Sequence, residues 1–362
     1  MLQSVEWGEY KLGDLFEVKS YKKRFDSNKV DVLEHGEYPY VVRQSTNNGQ
    51  KGYINADVKY LNAGNTISFG QDTATVFYQE KDYFTGDKIK ILKPQLSRFS
   101  KSNAQFFLVS MRLAFQKFSW GNSRFNIDTI KKQILKLPVK NGSIDFEFME
   151  TFIAELEAQR IAELEAYLTA AGLKDYELTA EEEEALKKLE TVEWKEYNLK
   201  ALYGSSTRGK RLKSSDRIPG NLPFVTAGEA DEGISDFIGN HVHVFKKNTT
   251  TIDMFGSAKY RNYDYGGDDH VAVVHTENVP QMAAIFVTTA IHKASHCGQF
   301  DYSRNFYAKD ADALNILLPQ VNGDVDYAFM QTFISAIQKL VIKDVVAYSD
   351  RKMAATKQAA GM

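Results

Sequence analysis

The chain is poor in the features that mark secreted and membrane-embedded proteins. It has one cysteine, Cys297, which excludes an internal disulfide framework and fits a reducing cytosol. No apolar run approaches the roughly 18 residues that a membrane span needs. The N-terminus has no basic region followed by an apolar stretch, as a signal peptide would. We therefore expect a cytoplasmic protein that is not exported and has no membrane partner.

The chain also lacks the positive excess that is typical of nucleic-acid binders, since its formal net charge is −2. The charge is unevenly distributed, however. Residues 151–190 hold 11 acids and four bases, so the rest of the chain carries a net charge of about +5. Composition thus permits DNA binding outside the acidic segment but does not demonstrate it.

Catalytic and cofactor signatures are missing as well. No Gly-x-Gly-x-x-Gly or Gly-x-Ser-x-Gly motif occurs. Gly204–Arg211 nearly spells a phosphate-binding loop, but Arg211 stands where such a loop needs Ser or Thr, and no helix start follows. His292, His296 and Cys297 lack a second ligand pair at a usual spacing. We expect no catalytic residue, no metal site and no cofactor in this chain, and a basic surface loop at Gly204–Arg211.

What the sequence does contain is an internal repeat. Trp7–Phe16 recurs as Trp194–Tyr203 at an offset of 187 residues, and Leu137–Ile153 recurs as Leu318–Ile334 at an offset of 181. Two shorter blocks lie between these in the same order: Phe84–Asp87 with Tyr265–Asp268, and Ser123-Arg124 with Ser303-Arg304. Four colinear blocks indicate that the chain is a duplication.

Each copy has the same predicted internal order. Short strand-like runs bounded by Asn and Gly turn signals come first, followed by a helical patch at Ser102–Phe118 or Pro280–Ala294. An Asn-Gly turn then leads to Asp145 or Asp326, each a suitable N-cap for a long helix. The sequence predicts an α+β fold of two tandem β-rich modules, residues 1–144 and 191–325. We place a long helix and an acidic linker helix in 145–190 and a final helix in 326–362.

Apolar residues in the two long helices recur at spacings of three and four, which is typical of a coiled-coil seam. The alternative is that each helix packs only on its own module. The predicted helix-pairing residues are Met149, Ile153, Leu156, Leu164, Met330, Ile334, Ile337, Val341 and Val345. In the linker, Thr179 and Glu182 form a predicted capping box, and the Glu181–Glu184 run is interpreted as a solvated helix face rather than an interaction site.

Loops within each β-rich module concentrate hydrogen-bonding and basic side chains. Arg, Gln and Asn can read base edges by paired hydrogen bonds, whereas Lys, Ser and Thr suit phosphates. Such loops are also common on ordinary protein surfaces. The candidate DNA-binding residues are Arg43, Gln44, Asn47, Asn48, Lys51, Gln71, Arg124, Arg208, Lys210, Arg211, Thr226, Lys259, Arg261 and Arg304.

Taken together, these features resemble the specificity subunits of type I restriction–modification systems and the similar subunits of type IIB enzymes. The resemblance rests on the Trp-x-x-Tyr-x-Leu opening, the Pro223–Gly228 stretch, the Leu-Pro lead-in to each long helix, and the two-copy plan. It implies that each module is a target-recognition domain for one half of a split sequence in double-stranded DNA. It also implies that the two helices pair antiparallel, with pseudo-twofold symmetry, as a spacer.

The resemblance further implies that the chain is a non-catalytic subunit. Such a subunit recruits DNA methyltransferase subunits, usually two, and in restriction complexes also translocase–nuclease subunits. S-adenosylmethionine, ATP and Mg would then belong to those partners. Two alternatives remain at this point: a duplicated protein- or glycan-binding adaptor on a coiled coil, and a nuclease or methyltransferase with a diverged site.

Overall fold

The computed structural model describes residues 2–116 and 126–359, and the chain divides into two compact units. One unit comprises residues 1–164 with 355–362, and the other comprises residues 165–354. Each unit contains both strands and helices, which confirms the predicted α+β class. No helix within the described ranges is long and apolar enough to cross a membrane.

The first copy alternates short strands with helices and ends in a long helix. Its elements are β1 (Glu6–Lys11), α1 (Leu12–Leu15), β2 (Phe16–Ser20), β3 (Pro39–Val41), β4 (Gln50–Tyr53), β5 (Thr66–Gly70), β6 (Val76–Gln79), β7 (Phe84–Thr85), β8 (Ile89–Pro94), α2 (Lys101–Phe115), α3 (Ile127–Lys131), β9 (Ile134–Lys140), β10 (Ser143–Ile144) and α4 (Phe146–Ala170).

A linker helix, α5 (Ala180–Lys188), precedes the second copy, which repeats the order. Its elements are β11 (Trp194–Asn198), α6 (Leu199–Tyr203), β12 (Thr207–Arg208), β13 (Pro219–Val225), β14 (Ile234–Ile238), β15 (Val244–Phe245), β16 (Thr249–Asp253), β17 (Ala258–Arg261), β18 (Tyr265–Gly267), β19 (Val271–Val274), α7 (Gln281–Ser295), α8 (Ala308–Ala313), β20 (Asn315–Val321), β21 (Asp324–Val325) and α9 (Tyr327–Ala359).

The two copies share their strand order. In the first copy the described sheets run β1-β9-β10, β2-β8-β5-β6 and β4-β3-β7. In the second they run β11-β20-β21, β12-β19-β16-β17 and β14-β13-β18-β15, so the short β15 is the one addition to an otherwise identical order. The repeat seen in the sequence is therefore a repeat of topology.

The repeated sequence blocks lie side by side in this topology. Trp7 on β1 faces Pro138 on β9, and Trp194 on β11 faces Pro319 on β20. The first and last blocks of each copy thus close the module as one antiparallel sheet. Asn141 and Asn322 adopt positive φ angles of 53° in the two-residue turns that follow, a backbone conformation that asparagine and glycine tolerate best.

Each module has its own apolar core around a helix that packs on the sheets. Phe107 and Met111 of α2 are buried with Phe16 in the first copy. Val287 and Ile291 of α7 are buried in the second. α2 and α7 lie at the predicted helical patches; the end of the first patch, at Phe118, lies outside the described residues. Because α2 and α7 pack on the sheets, the loops at the strand ends are not part of these two cores.

The long helices begin as predicted. Asp145 Oδ1 accepts the Phe148 N–H at 2.9 Å, and Asp326 Oδ1 accepts the Phe329 N–H at the same distance. Both aspartates therefore satisfy donors that a helix N-terminus leaves without partners. The Asn-Gly turn and the aspartate together set the start of each helix.

The predicted helix-pairing residues have very different environments. Met149 and Met330 are buried, and Ile153, Leu164 and Ile334 are half-buried. Leu156, Ile337, Val341 and Val345 are exposed, Val341 to 74%. Farther along α9 than Met330, the buried positions are Ala336, Val346 and Ser349. On α9, the residues that the chain buries therefore lie on a different face from Ile337, Val341 and Val345, which the apolar spacing predicted to be buried.

The linker helix α5 differs from its prediction at one residue, Glu182. The Thr179–Glu182 capping box forms as predicted. Glu182, however, is buried rather than solvated, while Glu181, Glu183 and Glu184 are exposed. Its carboxylate accepts a hydrogen bond from the Ser335 hydroxyl at 2.6 Å and lies 3.1 Å from the Lys339 ammonium. Glu182 was misjudged because its partners come from α9, more than 150 residues away.

Candidate nucleic-acid interface

Loops from four parts of the first module converge on an open groove. Two of these loops join strands that pair with each other, β3 with β4 and β5 with β6, and two join strands of different sheets, β2 with β3 and β7 with β8. The groove is lined by charged and polar side chains, with Tyr40 and Phe25 at its base: Arg24, Asp26, Asn28, Arg43, Gln44, Lys51, Thr73 and Asp87. Three predicted DNA-binding residues, Arg43, Gln44 and Lys51, thus meet at one site.

Arg43 is the most firmly held cation of this groove. Its Nη1 donates to Asp72 Oδ2, and its Nη2 lies 3.8 Å from Asp87. Asp72 also accepts from Lys88 Nζ at 2.9 Å, and Asp87 lies 3.6 Å from Arg24 Nη1. A chain of alternating charges therefore fixes the Arg43 guanidinium while leaving 31% of the side chain exposed.

The amide side chains of the same loop have structural roles. Gln44 Nε2 donates to the carbonyl oxygens of Thr46 and Gln50, at 3.2 and 2.7 Å. Asn47 Nδ2 donates to the same Gln50 carbonyl, and Asn48 Nδ2 donates to that of Tyr78. Reading adenine takes both the N–H and the carbonyl of an amide. Gln44 has both amide hydrogens engaged, so its interpretation as a base reader conflicts with the bonds that it makes. Asn47 and Asn48 each donate one of two amide hydrogens and are exposed.

The other candidates of the first module divide by exposure. Lys51 is exposed at the groove. Gln71 is half-buried, and its backbone N–H donates to the Lys88 carbonyl at 2.9 Å. Arg124 lies outside the described residues. Lys51 is therefore the candidate that joins Arg43 as a cation at the groove.

A basic segment that was not predicted from the sequence lies at the same groove. Lys22, Lys23 and Arg24 are all exposed, and Arg24 forms a backbone bridge with Thr85. Lys23 Nζ lies 4.3 Å from the centre of the Tyr60 ring. Lys23-Arg24 precedes Lys210-Arg211 by 187 residues, the offset of the tryptophan block. The shared offset could have predicted the basic segment of the first module from that of the second.

The second module presents its basic segment in the corresponding place. Arg208, Lys210 and Arg211 are exposed, and none forms an ion pair with another residue of the described ranges. Gly209 between them is buried against Gly267, where a side chain would collide with backbone atoms. This close approach holds the segment at the sheet edge, and the neighbouring cations stay free for an anionic ligand.

Arg261, by contrast, is a buried structural residue and not a DNA contact. It is 1% exposed, and its guanidinium donates to Thr251 Oγ1, to Tyr263 Oη and to the Glu232 carbonyl at 2.8–3.0 Å. In the first module Gln79 holds the same place on β6. It donates to Ser68 Oγ and to the Asn48 carbonyl. The prediction for Arg261 was wrong because it was based on the charge of the residue, whereas the guanidinium is buried and bonds within the module.

The remaining candidates of the second module are less available than the basic segment. Lys259 is 14% exposed and donates to Ser257 Oγ at 2.9 Å and to Glu229 at 3.2 Å. Thr226 is half-buried, and its backbone N–H donates to the Gly233 carbonyl. Arg304 is exposed, with its guanidinium 5.3 Å from the Phe300 ring centre. Arg304 therefore remains a surface cation, whereas Lys259 is engaged within the module.

An acidic cluster lies beside the basic segment of the second module. Asp268, Asp269 and His270 bring three potential metal-ligand atoms within 4.8 Å of one another. Burial, followed by the neighbouring Asp269 carboxylate, raises the pKa of Asp268. By their place after the paired strands, the corresponding residues of the first module are Gly86, Asp87 and Lys88. This register differs by one residue from the repeated sequence block, which set Asp87 against Asp268. This cluster was not among the candidate sites predicted from the sequence.

His292, His296 and Cys297 make local contacts with the backbone. His292 Nδ1 accepts the Ala258 N–H at 3.1 Å, and Cys297 Sγ lies 3.0 Å from the Lys293 carbonyl. Burial, and then the neighbouring His296, lowers the pKa of His292. His292 and Cys297 thus each have a contact within the module.

Comparisons with known proteins place the chain beside restriction–modification proteins. The sequence model for the type I restriction modification DNA specificity domain matches residues 4–166. The specificity subunit S.BcgI of a type II restriction enzyme from Heyndrickxia coagulans is 25% identical over 344 residues, covering 93% of this chain and 96% of that protein. The crystal structure of a type I restriction–modification S subunit from M. genitalium matches with a TM-score of 0.60 at 15% identity. That match covers 97% of this chain and 93% of that one, and it shows a shared fold.

Proposed function

Because the predicted resemblance to restriction–modification specificity subunits is confirmed by these matches, we propose that this chain is the subunit that recognises the DNA target. Each module would contact one half of a split sequence. The observation that carries this proposal is the repeated topology, with exposed basic segments at the corresponding edge of both modules. Lysine and arginine at such an edge suit phosphates, and side chains deeper in the groove suit base edges.

We further propose that α4 and α9 pair antiparallel and set the distance between the two half-sites. Contacts at the end of α4 support this arrangement. Glu165 accepts a hydrogen bond from the Ser349 hydroxyl of α9 at 3.2 Å, and Lys174 bridges Glu165 and Asp350. The 25 residues of α4 would span roughly 38 Å at 1.5 Å per residue. That length is comparable to one turn of B-DNA, the usual spacing of paired recognition elements.

The chain would act without chemistry of its own and would recruit DNA methyltransferase subunits, usually two, and in restriction complexes translocase–nuclease subunits. S-adenosylmethionine, ATP and Mg would be bound by those partners. The exposed apolar side chains of Ile337, Val341 and Val345 on α9 support recruitment. An apolar stripe left in solvent along a helix is typical of a protein-docking surface.

Salt-dependent DNA retention tests the proposal. Each neutralised phosphate adds about 0.9 to the slope of log affinity against log salt. We expect Lys210→Gln and Arg211→Gln each to lower that slope by about 1 and to weaken binding equally on all sequences. Lys343→Gln, a change on the exposed side of α9, is the matched control and should leave the slope unchanged. Retention that is insensitive to salt, or that both basic-segment variants leave intact, would contradict a DNA role and favour the adaptor alternative.

A further inference from the structure

The first module contains one arginine whose geometry suits the reading of a base rather than a phosphate. Arg43 lines the groove; its Nη1 donates to Asp72, and its Nη2 lies 3.8 Å from Asp87. A guanidinium carries five N–H donors in a rigid fork, so a carboxylate that takes one edge leaves other donors available. Arg24, in contrast, is about half exposed, and its closest ion pairs are 3.6 and 3.7 Å long.

The second copy shows that the fold does not need an arginine at this position. Val42 N–H donates to the Gly49 carbonyl at 2.8 Å, and Thr226 N–H donates to the Gly233 carbonyl at 2.8 Å. These bonds make Val42 and Thr226 counterparts, so Arg43 corresponds to Ala227. The loop thus keeps its closing hydrogen bond with alanine at that position. A residue that one copy has and the other lacks, within the same framework, is placed to distinguish one half-site from the other.

Gln44, the neighbour of Arg43 in the groove, has both amide hydrogens engaged by backbone carbonyls. The amides of Gln44, Asn47 and Asn48 donate to backbone carbonyls of the module. Among base edges in the major groove, guanine offers two acceptors, O6 and N7, that match the spacing of a guanidinium fork. A preformed fork also loses less side-chain freedom when it binds.

We infer that Arg43 reads a guanine in the half-site of the first module, with Asp72 as the residue that positions its guanidinium. The inference rests on the proposed DNA-recognition function. It adds the chemical identity of one recognised base and the residue that recognises it.

The test is selection of binding sites from a DNA pool randomised over both half-sites, using the full chain in complex with its methyltransferase. The wild-type complex should require guanine at one position of one half-site. Arg43→Ala should reduce that preference about 5- to 150-fold, the effect of losing one bidentate base contact. All other positions should keep their preferences. Arg43→Gln should move the preference at the same position toward adenine, which a glutamine amide can pair with.

Two further variants separate the alternatives. Asp72→Asn keeps Arg43 but removes its charged partner, and it should weaken the guanine preference at that same position. Arg24→Ala is the matched control, an arginine of the same groove, and should weaken binding without changing any base preference. If Arg43→Ala and Arg43→Gln weaken binding while every base preference persists, Arg43 contacts a phosphate and the inference fails. If the wild-type complex shows no base preference, the proposed function itself fails. Melting curves of each variant establish that it is folded.

Discussion

At the scale of single residues, the duplication separates side chains that hold the loops from side chains that are free to bind. Gln79 and Arg261 occupy the same place on β6 and β17, opposite Thr66 and Thr249. Both donate to a strand hydroxyl and to the carbonyl of a residue in the left-handed conformation, Asn48 or Glu232. The shared geometry identifies a loop support, whatever the charge of the side chain.

Arg261→Ala should therefore affect stability rather than DNA binding. It would leave the Thr251 and Tyr263 hydroxyls and the Glu232 carbonyl without their donor, which costs about 2–4 kcal/mol of the free energy of unfolding. Arg261→Gln, which copies the first module, should cost less. Chemical denaturation measures both. Exposed Arg211→Ala is the control and should change stability by less than about 0.5 kcal/mol.

The same variants distinguish this account from the sequence-based prediction. Below its melting temperature, the Arg261→Ala protein should keep the wild-type salt dependence of DNA retention, because the guanidinium is buried. Arg211→Ala should do the reverse and reduce the salt dependence while leaving stability intact. A normal stability of Arg261→Ala combined with weakened DNA retention would show that Arg261 is a DNA contact after all.

Sequence chemistry could identify the loops of the interface but could not rank their residues. Arg43, Lys51 and the Arg208–Arg211 segment were predicted from residue type and lie where a ligand could reach them. Gln44 was predicted on the same ground of residue type, yet its amide hydrogens bond to the backbone of its own loop. Which donors are already satisfied depends on the turn geometry, which residue type does not specify.

At the scale of elements, the linker helix α5 docks on α9 through one buried carboxylate. Burial alone would raise the pKa of Glu182. Hydrogen bonds from Ser335 and the Thr179 N–H, together with the Lys339 ammonium, outweigh it and lower that pKa. The carboxylate therefore stabilises the fold in its charged form. The sequence predicted the capping box from local spacing, but it could not predict partners contributed by α9.

Glu182→Gln should lower the free energy of unfolding by about 2–3 kcal/mol at pH 7, since hydrogen bonds to a charged group are lost. Because the pKa in the folded state lies below the ordinary value of 4.5, this contribution is present above pH 4.5 and disappears as the pH falls through the lowered pKa. Denaturation at pH 7 and in acid measures the difference. Glu183→Gln, on the exposed face of the same helix, is the control and should match wild type at both pH values.

The length of the long helices gives a second prediction at this scale. Deleting one heptad from each, residues 155–161 of α4 and 350–356 of α9, would shorten the spacer by about 10 Å. At roughly 3.4 Å per base pair, we expect the gap between half-sites to shrink by about three base pairs with both half-site sequences unchanged. Methylation-site sequencing in cells that carry the methyltransferase partner measures this. Altered half-sites at an unchanged spacing would contradict the role of the helices as a spacer.

The spacing of three and four correctly predicted that α4 and α9 are helices, but it could not say which face the chain itself buries. Val341 fits the apolar period and is 74% exposed, whereas Ser349 is polar and fully buried. Ser349 is buried because its hydroxyl donates to Glu165. The apolar spacing marks apolar positions on every face of the helix, so it does not separate the face that the chain buries from the face that it leaves exposed.

At the scale of the whole molecule, the duplication was the feature that the sequence predicted best. The two copies have the same strand order apart from the added β15, with Trp7 and Trp194 each facing the proline of the Leu-Pro block. The equivalence of Arg43 and Ala227 could not be seen in the same way. It depends on hydrogen bonds that close the loops and not on residue identity.

Two modules that share a framework and differ in their groove residues should specify their half-sites independently. The most direct test exchanges residues 191–310 for the corresponding segment of a relative with a different target, followed by methylation-site sequencing in cells that carry the methyltransferase partner. We expect one half of the methylated sequence to change to that of the relative, with the other half and the spacer length retained. A change in both halves, or in neither, would contradict the account of one half-site per module.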